Sequence, residues 1–290
     1  MPEHEPDPFP SPAVPVRISA AAASDVGRVR TNNEDRVVVA DLSSGIAVSG
    51  ASGGGDVTEA AWQAMPGAWF AAVCDGMGGE AGGEVASAMT VEVLLASMLR
   101  AAPVVRIRAR GQTVADAVEH AVQEASRTVF LEAQRVPELR RMGTTATVAA
   151  LAQGELVLGQ VGDSRAYLLR GGRLIQLTRD QTLVAMIAEQ TRRDPNEIAE
   201  SVGANIILQA VGAKPTVDVA LTRVPIEEGD QLLLCSDGLS GPVEDERIRS
   251  ILVESESPAD ACRALIAAAN EAGGPDNVSC VVARFSTTRG

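Results

Sequence analysis

TATVAALAQGELVLGQVGDSRAYLLRGGRLIQL, residues 145–177, is the stretch that decides the fold class. It breaks into the short β-rich segments TATVAALA, ELVLGQVG, SRAYLLR and RLIQLT, the last ending at Thr178. Turn residues separate them, notably Gln153-Gly154 and Gly171-Gly172. Short strands divided by such pairs form an antiparallel meander. Upstream, residues 84–100 place apolar side chains at helical spacing, and so do residues 113–135, with Thr113 as the expected N-cap. Downstream, VDVALTRV (217–224) and QLLLCS (231–236) read as strands, 244–254 and 258–272 as helices, and NVSCVVARF (277–285) as a last strand. Helices thus come in pairs between groups of antiparallel strands. That is α+β layering, not the strict alternation of a doubly wound sheet.

Towards the N-terminus, RISAAAAS (17–24), Val37–Val39 and WFAAVC (69–74) read as strands. Residues 1–16 are rich in Pro and acid and are expected to form a flexible tail. The Gly/Ser-rich stretch 43–58, SSGIAVSGASGGGDVT, reads as a long loop, either disordered or partner-binding. Residues 180–212 are mixed and polar with helical stretches.

Composition narrows the function classes. With 25 Lys plus Arg against 38 Asp plus Glu, the net charge is −13, which disfavours polyanionic partners: no nucleic acid and no membrane surface. At 46% apolar residues a full core is expected, and at 2% aromatic residues base-stacking platforms are not. Only His4 and His120 are present, which argues against His-ligated zinc and Ser-His-Asp chemistry. Cys74, Cys235, Cys262 and Cys280 form no CxxC pair and suit reduced, buried thiols in a cytoplasmic protein. The N-terminus lacks a basic then apolar leader, and no run of 18 apolar residues occurs, so neither a secretory signal nor a transmembrane helix is expected.

What remains is carboxylates. Glu34-Asp35, Asp75-Gly76, Asp163, Asp237-Gly238 and Asp276-Asn277 all fall at the ends of predicted strands. A strand end is rigid and can aim a short carboxylate at a fixed point. Gly after Asp lets the backbone turn sharply and lets its carbonyl approach a ligand. Converging carboxylates stay ionised only with a cation between them, and oxygen donors without His or Cys select Mg²⁺ or Mn²⁺. The alternative is that these are ordinary turns on the rim of an acidic protein.

Six motifs in order, DVGRVRTNNED (25–35), AAVCDGMGG (71–79), MGTTATVAAL (142–151), VGDSRAYLLR (161–170), LCSDGLS (234–240) and GGPDNVS (273–279), resemble the bacterial branch of the PPM, or PP2C-type, metal-dependent serine/threonine protein phosphatases. The likeness runs over residues 17–286. It implies one domain, a β-sandwich of two antiparallel sheets flanked by helix pairs in α/β/β/α layers, with residues 178–213 as a flap. It implies a centre of two Mn²⁺ or Mg²⁺ ions, with a weaker third. Asp75 would bridge two ions and the Gly76 carbonyl would bind one. Glu34 would serve the first, with Asp35 as a neighbouring acid, and Asp237 and Asp276 would hold the second. Asp163 and Asp237 can bind the third. Arg30 would grip the substrate phosphate, its alternative role being a surface partner of Glu34. The implied reaction is hydrolysis of phosphoserine and phosphothreonine in proteins by a metal-bridged hydroxide, opposing a bacterial Ser/Thr kinase. Arg165 is expected to pair with a nearby acid, and Thr144 and Thr145 to hydrogen-bond under the site.

The chain also departs from the family pattern. Glu80 stands where bacterial members usually have His, Gly241 replaces an Asp that serves the third ion, and the flap has Ser201–Asn205 after the family-like LTRDQTLV. An active phosphatase, a non-catalytic binding module built on the same fold, and a phosphatase within a stress-response switch are the competing readings. Retention of the core acids favours the first.

Overall fold

The computed structural model describes residues 16–50, 57–64, 69–78, 82–106, 113–152, 155–203 and 206–287. The strands in chain order are β1 (Val16–Asp25), β2 (Arg36–Asp41), β3 (Ile46–Gly50), β4 (Val57–Ala64), β5 (Trp69–Cys74), β6 (Gly76–Met77), β7 (Gly143–Thr144), β8 (Ala146–Ala152), β9 (Glu155–Val161), β10 (Arg165–Arg170), β11 (Arg173–Gln176), β12 (Ala220–Pro225), β13 (Gln231–Cys235) and β14 (Val278–Thr287). The helices are α1 (Gly82–Arg106), α2 (Val114–Arg135), α3 (Leu183–Thr191), α4 (Pro195–Val202), α5 (Asp237–Ser240), α6 (Asp245–Glu254) and α7 (Pro258–Glu271).

Two six-stranded sheets form the centre. The first runs β11-β10-β13-β14-β1-β4 and the second β12-β9-β8-β5-β2-β3. The pairings within both are antiparallel. Strand alternation sorts the side chains into three cores. Val37, Val39, Trp69, Ala71, Val73, Leu156 and Leu158 face the first sheet's Ile18, Ala20, Leu232, Leu234 and Phe285. Trp69 and Phe285 meet edge to face across that gap, 6.0 Å between ring centres. The opposite faces, Val38, Phe70, Ala72, Val148 and Val157, pack with α1 and α2. On the first sheet Ala21, Tyr167, Leu233 and Val282 pack with α6 and α7. The result is the expected α/β/β/α layering. It also explains why the central strands read as continuous apolar runs, since both faces are covered.

Two expectations are corrected. The stretch 43–58 is not one loop: β3 occupies Ile46–Gly50 and pairs with β2, and β4 starts at Val57 and pairs with β1. Small residues can fill strands when the partner strand supplies the hydrogen bonds, so composition alone misleads there. The tail also ends one residue early, because Val16 opens β1 opposite Thr287; the rest of the tail lies outside the described residues. By length and composition alone, the Gly82–Ala102 stretch of α1 is apolar enough to cross a bilayer. Its Ala86, Leu94, Met98 and Ala102 are buried against the second sheet and α2, as in a core helix.

Antiparallel pairing gathers the acid-bearing ends at one end of the sandwich. Arg36 at the start of β2 lies opposite Cys74 at the end of β5, and Ala146 at the start of β8 opposite Val161 at the end of β9. In the first sheet Asp25 at the end of β1 lies opposite Val278, and Cys235 at the end of β13 opposite Cys280. The residues just beyond these ends are Glu34-Asp35, Asp75, Asp163, Asp237 and Asp276.

Candidate metal centre and active site

Asp75 is held by the paired threonines that follow Gly143. Its N–H donates to Thr145 Oγ1 at 2.9 Å, and its carbonyl accepts from the Thr145 N–H and the Thr144 hydroxyl, both at 2.8 Å. These two threonines do hydrogen-bond beneath the site. Next to it, β6 and β7 pair Gly76 with Thr144 and Met77 with Gly143, which fixes the Asp75–Gly78 turn. A side chain at Gly76 would run into the Gly83 and Glu34 carbonyls, and one at Gly83 into the Glu34 carboxylate. The start of α1, the β6 turn and the Glu34 loop therefore touch through backbone.

Asn277 ties the Glu34 loop to the first sheet. Its Oδ1 accepts from the Glu34 N–H at 2.8 Å, and its Nδ2 donates to the Val26 and Asn32 carbonyls at 3.0 and 2.8 Å. Arg36 donates to the Asn33 and Asp35 carbonyls and pairs with Glu84 at 2.8 Å. Asp35 is fully buried. Its Oδ2 accepts from Ser236 Oγ at 2.7 Å, while its Oδ1 has no partner. Asp163, 8% exposed, likewise leaves its Oδ1 unpartnered. Arg30, half exposed, pairs with Asp276 Oδ2 at 2.8 Å and not with Glu34. Arg165 pairs with Asp180 at 2.7 Å as expected, and its Nη1 donates to Tyr167 Oη at 3.0 Å.

The electrostatics link these acids into one group. Burial pushes Asp35 up to about 7, with Asp237 and Asp276 adding to it and the Ser236 and Ser279 hydroxyls opposing it. Asp163 also rises to about 7 through burial and the nearness of Asp237 and Asp180. Asp75 lies well above the usual carboxylate range, through desolvation and the charges of Asp35, Asp237 and Asp163, and it shares a hydrogen bond with Asp237. Asp237 is raised by burial and by Asp276. Glu34 is raised by burial, with Arg30 opposing and Asp276 and Glu84 adding. Among the described residues no three of these side chains already stand close enough together to hold an ion.

The protein phosphatase 2C profile matches residues 56–275. The chain belongs to the protein phosphatase 2C family. Within that family it is similar to the serine/threonine protein phosphatase PstP of Mycobacterium tuberculosis, with 36% identity over 91% of this chain, although the chain spans only 44% of that protein's length. It is also similar to the serine/threonine phosphatase stp of Listeria monocytogenes, with 32% identity over 75% of this chain and 84% of the relative. Among solved structures, the PstP catalytic domain in complex with two manganese ions is 34% identical and superposes with a TM-score of 0.72, covering 93% of this chain and 99% of that one. The sandwich and its flanking helices are thus those of the 2C family.

The acids singled out from sequence, with Arg30 and Gly76, are all brought to one end of the molecule. Glu80 lies outside the described residues, as does Asn205 of the flap. At Gly241 a Cβ would stand 2.8 Å from the Asp237 carbonyl, so the backbone there is tight as well as lacking a carboxylate. Sequence reasoning missed the residues that hold the acids: Asn277, Gly83, Glu84, Asn33 and the serines at 24, 236 and 279. Asn277 and Ser236 directly flank predicted ligands, and that adjacency was the available signal.

Proposed function

We propose that the chain is a protein serine/threonine phosphatase that hydrolyses phosphoserine and phosphothreonine at a centre of two Mn²⁺ or Mg²⁺ ions. One observation carries this reading: acids from both sheets meet at one end of the sandwich, with Asp35 and Asp163 each leaving a buried oxygen unpartnered. The donor set fits such ions, being hard oxygen throughout and too repulsive to ionise fully alone. Asp75, Asp237, Asp276, Glu34 and the Gly76 carbonyl would hold the pair, with Asp35 beside them, and Asp163 and Asp237 would hold a weaker third. When bound, the ions supply charge neutralisation and water that is ionised at neutral pH.

The protein's own residues do the rest. Arg30 presents a half-exposed planar guanidinium beside Asp276, suited to a bidentate grip on a phosphoryl group. Thr144, Thr145 and Asn277 fix the backbone that carries the acids. Residues 178–213 serve as a flap within a single 17–286 domain, bonded beside Asp163 through Gln181 N–H to the Gly162 carbonyl and through the Arg165–Asp180 pair. The substrates are products of a bacterial Ser/Thr kinase, which this activity opposes. Four buried thiols without a disulfide support a cytoplasmic setting.

The test is hydrolysis of a phosphothreonine peptide and an aryl phosphate with Mn²⁺, with and without chelator, beside Asp75→Asn. Chelator should abolish activity, and the substitution should lower kcat by about 10²–10³-fold, the scale of losing one preorganised charge-stabilising group. Equal activity in every arm, or none in any, overturns the reading.

A further inference from the structure

The acids of the proposed centre belong to different sheets. Glu34, Asp35 and Asp75 flank strands of the second sheet, Asp237 and Asp276 flank β13 and β14 of the first, and Asp163 sits in the turn from β9 of the second to β10 of the first. Their spacing therefore depends on how the two sheets are held at this end. A closed ring of five buried polar residues crosses the gap. The Asp35 N–H donates to Asn33 Oδ1 at 3.1 Å, and Asn33 Nδ2 donates to Ser24 Oγ at 2.8 Å. Ser279 Oγ donates to Ser24 Oγ at 2.8 Å, and the Ser279 N–H donates to Ser236 Oγ at 3.0 Å. Ser236 Oγ donates to Asp35 Oδ2 and closes the ring. A backbone bond from the Ser236 N–H to the Ser279 carbonyl braces it at 3.1 Å. None of the five is more than 7% exposed.

We propose that this ring is a clamp that sets the spacing of the acids across the two sheets, with Ser236 as its positioning residue. The inference rests on the metal-dependent reading above. Four ring members lie beside or close to a proposed ligand in sequence: Asn33 precedes Glu34, Asp35 follows it, Ser236 precedes Asp237, and Ser279 lies just past Asp276. Ser236 can donate only one proton, and it goes to Asp35. Removing that hydroxyl takes the hydrogen-bonded donor from the buried Asp35 Oδ2 and the acceptor from the buried Ser279 N–H. Neither can recover a partner from solvent, so the Glu34–Asp35 loop loses its tie to the end of β13. Partners of this kind orient ligands, and their loss weakens metal affinity.

Calorimetric titration of the chelator-stripped full chain with Mn²⁺ tests the clamp, using wild type, Ser236→Ala, Asp35→Asn and the double variant. Ser126→Ala is the control: that serine is as buried and bonds the Lys214 carbonyl and the Gly212 N–H outside the ring. Ser236→Ala should weaken Mn²⁺ binding about 10–100-fold. Combining it with Asp35→Asn should add less than the sum of the two, because one acts through the other. Ser126→Ala should lower the thermal midpoint and leave the Mn²⁺ Kd unchanged. An unchanged Kd in Ser236→Ala, or strict additivity with Asp35→Asn, overturns the clamp. If Ser236→Ala does not fold, Ser279→Ala and Ser24→Ala must weaken Mn²⁺ binding in its place, and unchanged affinity in both overturns the clamp equally. Wild type that binds no Mn²⁺ is a separate result: it overturns the metal reading itself and the clamp with it.

Discussion

Gly76 and Gly238 each follow an aspartate of the proposed centre, and neither takes a positive φ. Their role is close approach, not a sharp turn: a Cβ at Gly238 would strike the Asn277 carbonyl, and one at Gly76 the carbonyls of Gly83 and Glu34. The atoms in the way are backbone and cannot swing aside. Gly238→Ala is therefore expected to cost about 1–3 kcal/mol of stability, read from urea midpoints, and to displace Asp237 against Asp276 so that Mn²⁺ affinity falls with it. A variant as stable and as avid for Mn²⁺ as wild type would refute the close-approach account. Arg30 gives the opposite signature. Its pair with Asp276 is open to solvent on the Arg30 side, so its stability contribution is about 0–1 kcal/mol. Arg30→Ala should leave the thermal midpoint near wild type while raising KM for a phosphothreonine peptide by about tenfold or more, equivalent to losing one charge-assisted contact. An unchanged KM would remove Arg30 from substrate binding. Position after a strand made the aspartates legible in the sequence. The glycine contacts were not, because the colliding carbonyls belong to residues distant along the chain.

Elements follow the same division. β5, β8 and β14 were readable because strands covered on both faces are mostly apolar, whereas β4, VTEAAWQA, borders the Gly/Ser stretch and is a strand only by virtue of pairing with β1. α2 was readable from its cap as well as its apolar spacing. The Thr113 hydroxyl accepts from the Asp116 N–H at 3.2 Å, and the Asp116 carboxylate accepts from the Thr113 N–H at 2.7 Å, a reciprocal cap. The Thr113 hydrogen bonds also hold Asp116 below the usual carboxylate range. Since Val118, Val122 and Val129 on this helix cover the second sheet, the cap belongs to the scaffold and not to the site. Thr113→Ala should therefore lower stability by about 1 kcal/mol in a denaturant titration, with kcat/KM intact. Activity loss beyond that expected from the unfolded fraction would show that α2 reaches the site by a route other than packing. The serine ring lay outside what a linear reading could supply, because it needs the order β13-β14-β1 and the meeting of two sheets before Ser24, Ser236 and Ser279 become neighbours.

At the scale of the molecule, burial and mutual repulsion favour the protonated forms of the proposed centre's acids. Asp35 and Asp163 titrate near 7 against an ordinary value of 3.8, and Asp75, Asp237 and Glu34 are raised in the same direction. Between about pH 4 and 7 the native state therefore binds more protons than the unfolded one, and unfolding free energy falls as pH rises. This contribution is fully present below the unfolded carboxylate pKa and is lost as pH climbs through about 7. The net charge of −13 adds self-repulsion in the same direction. In chelator, the thermal midpoint should thus decline from about pH 5 to about pH 8. On the proposed reading Mn²⁺ binds the ionised acids of the folded state, so its stabilising effect should be large at pH 8 and small at pH 5, reversing the slope. Asp35→Asn combined with Asp163→Asn should flatten the decline in chelator, since both groups then carry no proton to lose. A chelated protein that grows more stable from pH 5 to 8 would mean that the carboxylates are not repelling one another in the folded chain, and the grounds for placing divalent ions among them would go with that result.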